Sequence, residues 1–274
     1  MLKYIFKRIL MMIPVILGII LLVFTIMSFS PGDPGSLILG PLASEEEIHA
    51  VNESLGYYDP LPVRYVNYVF DLLRGDMGNS YINNLPVTQE IASKFPVTFR
   101  LTVYSIVLTV LVCIPLGVIA ALRQYSIADN VSMFLALILS SMPVFWLGLM
   151  LILTFSLKLD LLPVTGADTW KHFILPTIST AAGTIAVCTR MTRTTMVEVL
   201  REDYIRTARA KGAGEGRVVF KHALRNTLIP VITLLGINFG TMLGGTVLVE
   251  SVFGMPGIGL LLVTAIRSRR REKS

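Results

Sequence analysis

Residues 9–32 read ILMMIPVILGIILLVFTIMSFSPG, and no charged side chain interrupts this run between Arg8 and Asp33. A helix needs roughly 20 residues to cross a bilayer core of about 30 Å, so the run is long enough to span a membrane. Lipid offers no partner for backbone N–H and C=O groups, and a helix satisfies its own. The stretch therefore predicts an α-helical membrane span near the N-terminus.

Four further apolar runs have the same character, and charged residues bound each of them. They lie between Arg100 and Arg123, between Asp129 and Lys158, between Lys171 and Arg190, and between Arg225 and Glu250. Buried strands of a soluble sheet would need turn residues every few positions, and these runs lack them. Together the five runs predict an all-α membrane protein, a polytopic helical bundle with about five spans.

The composition agrees with a membrane protein that has no chemistry of its own. Charged residues make up 15% of the 274 residues, against about 25% in soluble domains. The net charge of +6 fits basic cytoplasmic loops, so we expect no nucleic-acid partner. Cys113 and Cys188 fall inside predicted spans, where they serve as small apolar residues. We expect no catalytic residue and no metal site.

Basic residues predict the orientation, because loops rich in Lys and Arg stay in the cytoplasm. The basic residues Lys3, Lys7 and Arg8 predict that the N-terminus lies on the cytoplasmic side of a prokaryotic plasma membrane. The apolar run that follows is longer than the core of a signal peptide, so residues 1–30 are predicted to be a retained anchor span. The acidic segment 31–95 then faces outward.

The segment 31–95 is too long for a simple connection, and its pattern predicts a small external cap. The stretch Pro31–Pro34 ends the first span. Ser44 precedes three glutamates, an arrangement that caps the N-terminus of a helix. Short helices are predicted over 44–55 and over about 62–73.

The basic segment 190–226 predicts a helix, a glycine break and a second helix on the cytoplasmic side. Apolar residues recur near helical spacing at Val197, Leu200, Tyr204 and Ile205, before a break at Gly212, Gly214 and Gly216. Such a display suits docking to a soluble partner, whereas a basic loop on anionic lipid explains the charges equally well. Periodicity alone leaves both interpretations open.

The fifth run carries a doubled GxxxG pattern at Gly236, Gly240 and Gly244, with the polar Asn238 beside it. Glycines four residues apart line one face and let another helix approach closely. Packing within the chain is the first interpretation of this face. An interface between subunits, or a face that lines a transport pathway, is the second.

Several motifs for chemistry and for independent energy coupling are missing from the sequence. It contains no GxxxxGK[ST] phosphate loop and no GxSxG or HExxH motif. His49, His172 and His222 lie in different segments, and no charge lies in the middle of a predicted span. Ion-coupled carriers keep such charges, so we expect the energy to come from a partner. A stand-alone channel, a secondary carrier and a membrane enzyme remain the alternatives.

Spaced motifs give the chain a resemblance to a known family. They are Asp203–Gly212 (DYIRTARAKG), His222–Pro230 (HALRNTLIP), Pro31–Pro34 (PGDP), Gly75–Ser80 (GDMGNS), and Glu250–Phe253 (ESVF) followed by Pro256–Gly259 (PGIG). Taken in their order along the chain, they resemble the B-type permease of ABC-type dipeptide, oligopeptide and nickel importers. The resemblance covers nearly the whole chain.

The resemblance implies partners and a coupling loop. A second, similar permease would complete the pathway, and two ATP-binding subunits would hold ATP and Mg. A solute-binding protein would deliver the substrate on the outer side. This chain itself would bind no cofactor and would be surrounded by membrane lipid. The solute would be a dipeptide or oligopeptide, with nickel or glutathione as alternatives. The residues that would couple to the ATPase are Asp203, Tyr204, Thr207, Ala208, Ala210, Lys211, Gly212, His222, Asn226 and Pro230, with Gly212 at the turn.

The sequence departs from the family pattern in two places. Residues 206–208 read Arg-Thr-Ala, so no role is carried over for the glutamate that opens this motif elsewhere in the family. The family has a sixth span, whereas here a transmembrane domain predicted over 96–266 leads into the basic tail 267–274. We expect a shortened version of a six-span protein, with a genuine five-span subunit as the alternative.

Overall fold

The computed structural model of the protein describes residues 2–29, 33–40, 42–80 and 85–271. These residues are largely helical and contain no β-strand, apart from one isolated bridge between Asn79 and Pro86. The chain divides into two compact units, Met1–Ala92 and Ser93–Ser274. The all-α fold predicted from the apolar runs is therefore confirmed.

The described residues of the first unit contain four complete helices, and side-chain N-caps begin two of them, α2 at Asp33 and α3 at Ser44. They are α1 (Leu2–Phe29), α2 (Pro34–Leu39), α3 (Glu45–Ser54) and α4 (Leu61–Leu73). The hydroxyl of Ser44 caps α3, and Glu47 reaches back to the Ser44 N–H at 2.9 Å to complete a capping box. The helices predicted over 44–55 and about 62–73 are confirmed, while Pro31 and Gly32 lie outside the described residues.

Hydrogen bonds from Ser44 and Asn52 stabilise the charged form of two carboxylates in this unit. The Ser44 backbone N–H, followed by its hydroxyl, holds the pKa of Glu47 below its usual value. The side chain of Asn52 donates to Asp33 at 2.9 Å and is the main reason why the pKa of Asp33 is lowered. Asn52 is buried and also accepts from the Gly35 N–H at 2.7 Å. This amide therefore joins the start of α2 to α3.

The remaining helices begin with α5 at Val87 and continue to Arg271. They are α5 (Val87–Leu122), α6 (Ile127–Ser141), α7 (Val144–Leu151) with a π-helical extension Ile152–Lys158, α8 (Ile174–Leu200) after a 3-10 turn Trp170–Phe173, α9 (Asp203–Ala210), α10 (Glu215–Arg217) with a π-helical turn Val218–Ala223, α11 (Leu224–Gly245), α12 (Val247–Val252) and α13 (Ile258–Arg271). Gly216 lies inside α10, so the predicted glycine break is confined to Gly212 and Gly214.

Within the described residues, four helical segments are long and apolar enough to cross a membrane. They are Lys3–Phe29, Val87–Leu122, Trp170–Leu200 and Glu215–Gly244. A fifth candidate is the pair Ile127–Ser141 and Val144–Lys158, whose two halves are bent by 100°. Four of the predicted runs therefore form continuous helices, and the third does not.

The bend at Met142 and Pro143 corrects the prediction that the third run forms a single helical span. Proline has no backbone N–H to donate, and its ring disfavours the helical conformation in the residue before it. Met142 is accordingly extended, with φ −80° and ψ 127°, and α7 starts in a new direction after Pro143. The run from Asp129 to Lys158 is therefore a pair of helices bent by 100°.

The core of the second unit consists of three apolar clusters spaced along α5 and α8. One gathers around Leu101 and Phe253, one around Cys113 and Cys188, and one around Met196 and Ile205. Both cysteines are free thiols and are fully buried, in agreement with their predicted role as small apolar residues. The third cluster carries the surface described next.

Candidate functional site

Helix α9 is attached to the second unit by one apolar side chain. Ile205 is fully buried in a cluster with Met196 of α8 and Val218 of the π-helical turn. Val118 and Ala121 of α5 belong to the same cluster. Most of the remaining side chains of α9 are exposed. The helix is therefore fixed from beneath while its outer face stays available.

Gly212 makes the turn after α9. Its φ is +80°, a left-handed conformation that side chains other than glycine rarely adopt. The Gly212 N–H donates to the Arg209 carbonyl at 2.9 Å, and the Ala213 N–H donates to the Ala208 carbonyl at 3.1 Å. This pair of bonds defines a Schellman motif. The turn predicted at Gly212 is thus present, and it fixes the direction in which the chain leaves α9.

An ion pair closes the same turn from the outside. Arg209 donates to both oxygens of Glu215, with Nε–Oε1 and Nη2–Oε2 distances of 2.8 and 3.2 Å. These hydrogen bonds raise the pKa of the Arg209 guanidinium above its ordinary value. Both side chains are substantially exposed, so the pair contributes little to stability. It orients α9 relative to α10.

Two polar contacts connect the start of α11 to its neighbours. The side-chain amide of Asn226 donates to the Tyr204 hydroxyl at 2.6 Å, which joins α11 to α9. The buried Thr227 hydroxyl donates to the Ala223 carbonyl at 3.0 Å and lies 3.3 Å from the Met196 sulfur of α8. These contacts connect α9 to α11 and α11 to α8.

A second connection reaches the start of α6. Asp129 accepts two hydrogen bonds from Arg193 of α8, and its carboxylate also accepts from the Tyr125 N–H at 2.9 Å. Gln124 accepts from Arg201 at 3.3 Å. Sequence reasoning missed this network. The local signal was Ser126, which caps α6 by accepting from the Asp129 N–H, but nothing in the sequence pointed from Asp129 to Arg193.

The structure gathers most of the predicted coupling residues on one surface. Thr207 folds back, and its hydroxyl donates to the Asp203 carbonyl at 2.9 Å. Pro230 lies farther along, inside α11. The exposed members of the set are Asp203, Tyr204, Thr207, Ala210, Lys211, Gly212 and Asn226, and the half-buried ones are Ala208, His222 and Pro230.

The glycine face of α11 is open. A Cβ atom added at Gly236, Gly240 or Gly244 would meet no atom within 4 Å from elsewhere in the described chain. The side chain of Asn238 donates back to the Leu234 carbonyl at 2.9 Å. Packing within the chain, the first interpretation of these glycines, is therefore not what the structure shows. The face remains available to another subunit.

Glu250 is the centre of a buried polar network that the sequence did not predict. Its carboxylate accepts from the Thr98 hydroxyl at 2.6 Å, the Thr246 hydroxyl at 2.9 Å and the Leu260 N–H at 3.1 Å. The Gly257 backbone approaches so closely that a Cβ there would collide with the carboxylate. Glu250 thus holds α5, α12 and the N-terminus of α13 together. In the sequence, Glu250 is a lone acid at the end of an apolar run and the first residue of the ESVF motif, but neither signal pointed to Thr98.

These observations define a multi-pass helical membrane protein. In its second unit, the exposed helix α9 and the turn at Gly212 are held in place by the buried Ile205 and by backbone hydrogen bonds. Residues 113–272 match the family described as "Binding-protein-dependent transport system inner membrane component", and residues 1–102 match the family of its N-terminal part. The chain belongs to this family of ABC importer permeases and is an inner-membrane protein.

Curated relatives match along almost the whole chain. Proteins of Salmonella choleraesuis (strain SC-B67), Pectobacterium atrosepticum and Escherichia coli (strain K12) are each 45% identical over 269 residues, covering 98% of this chain and 88% of the relative. All three are named "Glutathione transport system permease protein GsiC". These names agree with the glutathione alternative and do not support the preference for dipeptides and oligopeptides.

Proposed function

We propose that the chain is a permease subunit of an ATP-driven importer for glutathione or a closely similar short peptide, and that it forms half of the translocation path. The observation that carries the solute is the 45% identity with permeases named for glutathione transport. Glutathione is itself a γ-linked tripeptide, so the two alternatives for the solute are chemically close. Nickel has no comparable support.

The surface of α9 is the proposed docking site for an ATP-binding subunit. Tyr204 of α9 exposes 41% of its surface, and Phe220 of the neighbouring π-helical turn exposes 68%. Exposed aromatic side chains are typical anchors of protein interfaces. The Schellman turn at Gly212 and the buried Ile205 keep the helix rigid enough to transmit a push. ATP and Mg would be held by the partner subunits.

The contacts of α9 support a mechanism in which ATPase closure changes the arrangement of the spans. Force on α9 passes to α11 through the Tyr204–Asn226 hydrogen bond and to α8 through the Met196 cluster. The fork between Asp129 and Arg193 passes it on to α6. ATP on the partner would thereby bias a two-state permease, which performs no covalent chemistry itself.

The remaining partners follow from this arrangement. A second, homologous permease would cover the open glycine face of α11 and complete the path. The N-terminus would lie in the cytoplasm, because Lys3, Lys7 and Arg8 precede the first span. Residues 33–80 would then face outward, where a solute-binding protein delivers the substrate.

Reconstituted transport tests the proposal. The chain would be co-expressed with the neighbouring transport genes, purified with the subunits it retains and placed in vesicles with the solute-binding protein. ATP-dependent uptake of labelled glutathione, with weaker uptake of an unrelated dipeptide, is the expected result. Preferred uptake of dipeptides would overturn the solute, and uptake without ATP or ATPase subunits would point to a channel or a carrier.

A further inference from the structure

Helix α4 has three distinct faces. On a helix that turns about 100° per residue, Tyr65, Tyr68 and Leu72 share one side of LPVRYVNYVFDLL. Next to them around the helix comes an apolar flank of Val63, Val66, Phe70 and Leu73. A narrow polar stripe of Arg64, Asn67, Asp71 and Arg74 closes the circle. The helix is therefore strongly amphipathic, with an apolar surface wider than one contact needs.

The first face fastens α4 to the membrane span α1. The Tyr65 hydroxyl donates to the Leu17 carbonyl at 2.9 Å. The ring of Phe24 lies 5.9 Å from that of Tyr65 and 5.5 Å from that of Tyr68. Leu17 is twelve residues before Phe29, which is about 18 Å along a helix. Helix α4 thus lies beside the half of α1 that is farther from the N-terminus.

The apolar flank is left uncovered by this contact. Val63, Val66, Phe70 and Leu73 expose 45%, 48%, 56% and 78% of their surface. In the most apolar stretch of α1, likewise, none of the residues is buried. The two exposed surfaces belong to helices in direct contact, and a membrane span has lipid around it. Lipid acyl chains are therefore the occupant that accounts for both.

Arg64 marks the level along α1 and α4 at which the hydrocarbon layer meets the headgroups. Its guanidinium lies over the rings of Phe24, at 5.8 Å, and Tyr57, at 5.0 Å. Aromatic rings with a basic side chain are typical of the level at which hydrocarbon meets headgroups. The polar stripe that continues from Arg64 through Asn67 and Asp71 then faces headgroups and water.

We propose that α4 is an interfacial helix, with the flank Val63–Val66–Phe70–Leu73 inserted in the lipid leaflet at the end of the first span farther from the N-terminus. This proposal rests on the membrane location of the chain and does not depend on which solute is transported. The helix fixes the following segment of the first unit at the membrane surface. Amphipathic helices that lie in the interface bind by the same division of faces.

Adjacent positions on opposite faces provide the test. Single cysteines replace Val66 and Phe70 on the flank, and Asn67 and Asp71 on the stripe serve as matched controls. Native Cys113 and Cys188 are fully buried, so a bimane label reports the introduced site. The labelled chain, assembled with its partner subunits, is placed in phosphatidylcholine vesicles and quenched with brominated phosphatidylcholine or with aqueous iodide.

We expect several-fold stronger quenching by brominated lipid at the Val66 and Phe70 sites than at Asn67 and Asp71, and the reverse order with iodide. Equal iodide quenching at all four sites would place α4 in water and overturn the proposal. Protection from both quenchers in the assembled complex would also overturn it, because a protein partner would then cover the flank. Transport by each labelled complex verifies that it has folded.

Discussion

The carboxylate of Asp129 and the guanidinium of Arg193 form a two-bond fork between residues 64 positions apart in the sequence. The Nε–Oδ1 distance is 2.7 Å and the Nη2–Oδ2 distance is 2.6 Å. Only 2% of the Asp129 side chain and 20% of the Arg193 side chain are exposed. A bidentate pair of this kind is strong and directional. It fixes α6 to α8.

We predict that Asp129→Asn lowers the stability of the permease by about 3 kcal/mol, the lower end of the range for breaking a buried ion pair. Thermal unfolding of the detergent-purified complex measures this loss. The exchange of both residues, Asp129→Arg with Arg193→Asp, should restore part of it. Arg206→Gln removes an exposed partner of Asp203 and serves as the control without effect. An equal loss in that control would disprove a special role for the fork.

Gly212→Val should impair transport while membrane insertion continues. A β-branched residue at φ +80° costs roughly 1–2 kcal/mol or more, so the turn after α9 would rearrange and ATPase docking would fall about five- to thirtyfold. Gly214→Val is the matched control, because Gly214 has φ −64° and ψ 149°, which valine adopts readily. Co-purified ATPase and ATP-dependent uptake are measured. Equal results for the two variants would remove Gly212 from the coupling role.

Glu250→Gln keeps the shape of the side chain and replaces one acceptor oxygen with an amide donor. Thr98, Thr246 and the Leu260 N–H all donate to the present carboxylate, so at least one donor loses its partner at a cost of about 1–3 kcal/mol. We expect earlier thermal unfolding and faster proteolysis between α12 and α13. Glu198→Gln, a change in α8 away from this network, is the comparison. Unchanged proteolysis in Glu250→Gln would show that the network does not hold α13.

Gly240→Leu should leave the chain folded but prevent its assembly with a second permease. A Cβ atom at this position would meet no described atom of another element within 4 Å, so the chain itself leaves room for a larger side chain and we expect the effect to come from a partner. Gly18→Leu, on the similarly open α1, is the matched control. Recovery of the second permease in a pull-down is the measurement. Normal recovery with Gly240→Leu would rule out the glycine face as the interface.

Acid should loosen the contact between α2 and α3. The bond from Asn52 lowers the pKa of Asp33, so its contribution is fully present above the unfolded value near 3.9 and is lost as the pH falls through the lowered folded value. Hydrogen exchange of residues 33–54, corrected for its intrinsic pH dependence, should rise below about pH 4. Asn52→Ala should show fast exchange already at neutral pH, and Asn67→Ala should behave as the parent. Protection of Asn52→Ala at neutral pH would contradict this account.

Local features of the fold were predictable because their causes lie within a few residues. Ser44 and Glu47 defined the start of α3, and Gly212 defined the end of α9, since a capping box and a left-handed turn involve only neighbours in sequence. The apolar runs defined the continuous spans for the same reason. Pro143 was visible too, but a proline in a membrane helix can be accommodated or can break it, and the surrounding packing decides which.

The amino-acid sequence by itself determined that this protein is a helical membrane protein, because lipid imposes long apolar runs and internal hydrogen bonding on any chain that crosses it. Only the tertiary structure decided which distant residues meet. The partners Thr98 and Glu250 are 152 residues apart, and periodicity carries no information about such pairs. Desolvation in the packed bundle makes each of these polar groups require a partner, and the fold alone supplies it.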